Sequence, residues 1–135
     1  MCIGGETKPT LLYLNKGKPN SYGLLQCDEA ESDSVMSVSL DDLCRWEGLT
    51  RLDYLKIDAE GSESAILQGG AGALAQFRPI IQVETTKNDS RLPDGYRRFR
   101  AQGSPNDVFI SKEAEGAISQ AIALRWNEVS HQSSK

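Results

Sequence analysis

Apolar and polar positions along this chain switch between two periods, and the switches mark out its elements. Leu11-Leu12-Tyr13-Leu14 is a short apolar run closed by the turn-forming cluster Asn15-Lys16-Gly17-Lys18-Pro19-Asn20, which predicts a strand. Val35–Leu40 sets Met36, Val38 and Leu40 on one face at period two, a second strand. Ser39 stands three residues before Asp42, the position of an N-cap for a short helix over Asp41–Glu47 that Gly48 ends. Leu52–Asp58 reads as a strand that stays mostly apolar until its carboxylate end. After the tight turn Glu60-Gly61-Ser62, Ile66, Gly70, Ala73, Leu74 and Phe77 recur at helical spacing. Ser62 is placed to cap that helix, Glu63 in its first turn suits the dipole, and Gly69, Gly70 and Gly72 predict a kink or division.

Pro79 opens the next strand, Ile80–Glu84, where a first-position proline is tolerated. Strand, helix and strand across residues 52–84 fit a right-handed βαβ unit and hence a parallel sheet. Tyr96–Arg100 and Asp107–Ser111 predict an antiparallel pair joined by a short loop. From Glu113 to Val129, the stripe Ile118, Ile122, Trp126 and Val129 predicts a helix, followed by a frayed tail. The fold class is therefore α/β.

Composition narrows the functions. The 135 residues suffice for one domain, with 39% hydrophobic and 25% charged positions. Lys+Arg 15 against Asp+Glu 19 gives a net charge of -4, which gives no long-range attraction to nucleic acid or anionic lipid. The apolar runs are too short for a membrane span. Cys2, Cys27 and Cys44 form no C-x-x-C pair, and the amino-terminal residues lack a signal-peptide pattern, so a reducing cytoplasm is expected. The single histidine, His131, lies in the polar tail, which argues against histidine-based acid–base chemistry and His-rich zinc sites.

Chemistry concentrates in Leu55-Lys56-Ile57-Asp58-Ala59-Glu60-Gly61-Ser62-Glu63. Asp58, Glu60 and Glu63 surround the turn at the carboxyl end of a parallel strand, the edge at which open α/β sheets bind ligands. A carboxylate there can take a hydroxyl proton, hold a metal or bind ligand hydroxyls. The plain structural alternative makes Glu60 and Glu63 a helix cap and a first-turn acid, with Asp58 ending the strand. An EF-hand loop is rejected, because its sixth position is Glu63 rather than glycine. Gly69-Gly70-Ala71-Gly72 follows a helix instead of opening one, so it reads as a helix break rather than a phosphate loop. Arg97-Arg98-Phe99-Arg100 alternates faces along a strand and reads as a solvated surface.

The run Leu55–Glu63, then Ile66-Leu67-Gln68-Gly69 and Pro79–Glu84, resembles the core of the FkbM-type methyltransferases. Val38-Ser39-Leu40-Asp41-Asp42-Leu43 and Gly103–Phe109 are similar to that family's flanking motifs, in the same order, so the resemblance covers about residues 10–111. It implies S-adenosylmethionine-dependent methyl transfer, typically to oxygen of a sugar or natural product. It also implies a Rossmann-like sheet of order 3-2-1-4-5-7-6, of which this chain supplies a partial 4-5-7-6 half-sheet after short amino-terminal strands. Residues 1–112 are then the carboxyl-terminal portion of such a domain, and 113–135 a helix and tail. The family's acidic-x-Gly-x-x-x-Gly turn, which wraps the cofactor, has no counterpart here, and only Met1–Pro9 precede the first recognisable segment. A truncated or degenerate relative is the expectation. The resemblance makes Asp58 the base or metal ligand, Glu60 and Glu63 acceptor contacts, and Glu84 a supporting acid at the next strand end, while Lys56 shares a strand face with Asp58 and is placed to pair with it. The expected partner is a small-molecule or glycan acceptor, with self-association through the unpaired edge of Leu52–Ile57. The alternatives are a non-catalytic remnant and a small acidic sugar- or metal-binding module.

Overall fold

The structure is a computed structural model that describes residues 1–14, 22–23, 32–59, 61–84, 92 and 94–129. The strands form two sheets among these residues. The first is built from β1 (Cys2–Gly4), β2 (Lys8–Leu14), β3 (Tyr22–Gly23) and β4 (Ser32–Ser39) in the order β1-β4-β2-β3. β1 runs parallel to β4, and β2 is antiparallel to both β4 and β3. α1 (Leu40–Trp46) follows β4 directly. β5 (Tyr54–Ile57), α2 (Glu63–Gly69), α3 (Ala71–Phe77) and β6 (Ile80–Glu84) form the expected βαβ unit, with β5 and β6 parallel. β7 (Tyr96–Arg100), β8 (Asn106–Ser111), α4 (Glu115–Ala123) and β9 (Asn127–Glu128) complete the second sheet, of order β5-β6-β8-β7-β9. Its first four strands follow the predicted 4-5-7-6 sequence, with β7 and β8 antiparallel as expected.

Local signals explain most boundaries. Ser39 is the N-cap of α1, its hydroxyl accepting the Asp42 N–H at 3.1 Å, and the helix stops before Gly48. The glycines divide the central helix into α2 and α3. A Cβ on Gly69 would run into the Gly5 carbonyl of the segment after β1, and one on Gly70 into Leu40, so close approach requires glycine there. One face of the second sheet packs Ile57, Ile81, Val83 and Phe109 against α2 and α3, with Leu67 and Leu74 fully buried. Phe99 and Ile110 on the other face meet Ile118 and Ala121 of α4.

Four expectations are corrected. Leu40 begins α1 instead of ending the preceding strand, and Met36 is 45% exposed while Val38 is buried, so the period-two stripe holds only at Val38. The last helix stops at Ala123, where Arg125 takes a positive φ of 56 and Trp126 N–H bonds back to Ala121 O. Residues beyond it form β9, and the stripe is carried by Ile118 and Ala121, with Ile122 56% exposed. Ser62 gives α2 no side-chain cap. The arginines of β7 alternate faces but are ion-paired, Arg97 with Glu128 and both Arg98 and Arg100 with buried Asp107.

Candidate active site

The carboxyl ends of β5 and β6 lie side by side, with Ile57 opposite Val83, so Asp58 and Glu84 leave the sheet at the same level. Side chains alternate across a strand. Leu55, Ile57, Ile81 and Val83 point to the α2–α3 core, which turns Tyr54, Lys56, Gln82 and Glu84 to the opposite face. Parallel strands are ordinarily apolar on both faces. Here one face of the pair is polar: Tyr54 OH donates to Gln82 Oε1, and Lys56 Nζ donates to Asp58 Oδ2 at 2.9 Å. Both members of that ion pair are about half exposed, with side-chain exposures of 53% and 52%. The hydrogen bond to Asp58, then its charge, holds the Lys56 ammonium above the ordinary lysine value, with smaller contributions from Tyr54 and Glu84. Such an exposed pair contributes little to stability but orients both side chains at the sheet edge.

Glu63 is placed differently. It is 1% exposed, and its Oε1 and Oε2 accept the backbone N–H groups of Ala59 at 3.1 Å and Gly61 at 2.8 Å. Gly61 has a φ of 102, a conformation that favours glycine, and Ser62 N–H closes the turn onto Ala59 O at 3.2 Å. Glu63 therefore sits beneath the turn that Asp58 enters. Glu60 lies outside the described residues. The structure thus brings Asp58, Lys56 and Glu84 to one exposed edge and Glu63 to its buried underside.

Sequence reading missed a neighbouring group. Asp107, opposite Val83 on β8, is 3% exposed and accepts Arg98 Nη2 and, at 2.7 Å, Arg100 Nε. The usable signal was the spacing of Arg98 and Arg100, two residues apart and therefore on one strand face. Among the described residues no group of three or more His, Cys, Asp or Glu side chains is arranged to hold a metal ion. A groove of about 410 Å³ opens elsewhere, between α1 and α3, lined by Asp41, Cys44, Arg45, Gln76 and Phe77 among others, and includes none of the edge carboxylates. No helix among the described residues is long and apolar enough to cross a membrane.

A family model described as the methyltransferase FkbM domain matches residues 2–104. The chain belongs to this family. The match begins inside β1, earlier than the motifs that carried the resemblance, and includes the Asp58 turn and the β5–α2–α3–β6 unit. Methyltransferase families generally use S-adenosylmethionine. No curated protein matches the chain, and no solved structure does. The Gly69–Gly72 cluster closes against Gly5, Leu40 and Asp41 instead of opening to a ligand, as a helix break does.

Proposed function

We propose that the chain carries the acceptor side of an S-adenosylmethionine-dependent O-methyltransferase, with a partial Rossmann-like sheet and a sugar or natural-product hydroxyl as substrate. The observation that carries this reading is the exposed Lys56–Asp58 pair, level with Glu84 at the carboxyl edge of a parallel strand pair, within an FkbM domain. Asp58 serves as the base that accepts the acceptor hydroxyl proton at a carboxylate oxygen. Lys56 donates to that carboxylate and orients it, and Glu84 supplies a second acceptor of hydroxyl hydrogen bonds. Glu60 belongs to the same proposed acceptor-contacting turn. A positioned base of this kind contributes about a hundred- to ten-thousand-fold.

Replacing Asp58 by Asn tests the reading. The expected result is a loss of about two or more decades in release of S-adenosylhomocysteine over a panel of hydroxyl acceptors, with the melting temperature nearly unchanged. Undiminished turnover by a folded D58N protein overturns it.

A further inference from the structure

We infer that Glu63 is a positioning residue: it fixes the backbone of the turn that presents Asp58 and does not itself contact the acceptor. The inference rests on the methyltransferase reading of the same edge and assigns Glu63 a different part in it. Three observations carry it. Glu63 is 1% exposed, so an acceptor at the outer edge has no path to its carboxylate, whereas Asp58 is half exposed. Both Glu63 oxygens are engaged by main-chain donors, those of Ala59 and Gly61, at 3.1 and 2.8 Å. The Ala59 N–H belongs to the peptide bond that follows Asp58, so holding it fixes the plane from which the Asp58 side chain departs.

A carboxylate removed from water is strongly disfavoured unless charge-assisted hydrogen bonds replace its hydration. Ala59 and Gly61 supply two such bonds, and in return the turn loses its freedom to rotate about Asp58. Gly61 at a φ of 102 would otherwise sample several conformations. A group held by backbone hydrogen bonds costs less to orient at the moment of reaction than one on a loose loop.

The test is Glu63→Gln, which keeps the shape but offers a single acceptor oxygen. Amide exchange followed by nuclear magnetic resonance should show the Ala59 and Gly61 N–H groups exchanging at least about tenfold faster, with β6 protection unchanged. The same variant should lower kcat while leaving the KM for a turned-over acceptor close to wild type, as expected when orientation rather than contact is lost. If KM rises and kcat holds, Glu63 touches the acceptor and the inference is overturned. If E63Q does not fold, exchange in the wild-type chain decides: protected Ala59 and Gly61 amides support the clamp, and free exchange at both removes it. Asp58→Asn, measured beside it, separates the two readings. Undiminished turnover in D58N sinks the catalytic assignment, while the exchange result still judges the clamp.

Discussion

Asp41 in the first turn of α1 caps α3 from another helix, its carboxylate accepting the N–H of Ala73 at 2.7 Å. The neighbouring Gly72 N–H reaches the other oxygen at 3.1 Å. Because Gly70 precedes α3 and carries no side chain, that helix has no cap of its own. Asp41→Ala should cost about 1–2 kcal/mol in chemical denaturation, and Asp41→Asn, which keeps one acceptor, should cost less. Equal stability of D41A and wild type would show that water satisfies these amides.

Asp42, the next residue, faces the other way. Hydrogen bonds from the Thr7 and Ser39 hydroxyls, then the Arg45 guanidinium, hold its carboxyl below the ordinary aspartate range. Arg97 does the same to Glu128, which ties β9 to β7. A depressed folded-state value means that the stabilisation is present above the unfolded pKa, about 4 for these acids, and is lost as pH falls toward the folded value. The thermal unfolding temperature should therefore fall on acidification below about pH 4, and D42N should show a flatter pH dependence over that window. An identical slope in D42N and wild type refutes the assignment.

Tyr96 predicts the opposite limb. Burial first, with Glu113 adding and Arg78 opposing, pushes its phenol up to about 12. The phenol is 6% exposed and donates to Pro79 O at 2.9 Å. With a raised folded value, its contribution is complete below the unfolded pKa of about 10 and disappears as pH climbs from there toward about 12. Tyr96→Phe should cost about 1 kcal/mol at neutral pH through the lost hydrogen bond, and should reduce the alkaline loss of stability. A phenolate titration with every tyrosine near 10 would contradict this.

The features that sequence reading captured are local ones. The Ser39 cap and the separate periods of the strands and helices in the βαβ unit depend on residues a few positions apart, and the pattern carries them directly. What it lost depends on distant partners. β1 exists because Cys2–Gly4 finds β4, and β9 because Glu128 meets Arg97 across 31 residues of chain. Ile118, Ile122 and Trp126 keep a helical spacing that runs past the end of α4, although the sheet receives only Ile118 and Ala121 fully. Within the site, Lys56 and Asp58 were legible as i and i+2 on one strand. That Glu63 is buried under its own turn was not, since first-turn acids ordinarily face solvent.

The last prediction concerns the edge of β5. Among the described residues β5 pairs with β6 alone and has no strand on its other side; β2 and β4 belong to the first sheet. Ile80 N–H donates to Asp53 O at 2.9 Å, so the peptide groups that alternate with Asp53, those of Tyr54 and Lys56, point to the open edge. An uncovered edge is a template for another strand. Its guards are modest: Lys56 is tied to Asp58, and Tyr54 at 51% exposure adds apolar surface. The 135-residue chain is therefore expected to self-associate at micromolar concentration through this edge. Charge at Leu55 is a poor probe, since that side chain packs on the core and its loss would disturb folding too. Tyr54→Pro is the better one, because it removes an outward N–H at the first strand position, where proline is tolerated. Sedimentation should show assembly for wild type and a folded monomer for Tyr54→Pro. A wild-type monomer at tens of micromolar, with slow amide exchange at Tyr54 and Lys56, would show that the edge is covered within the chain.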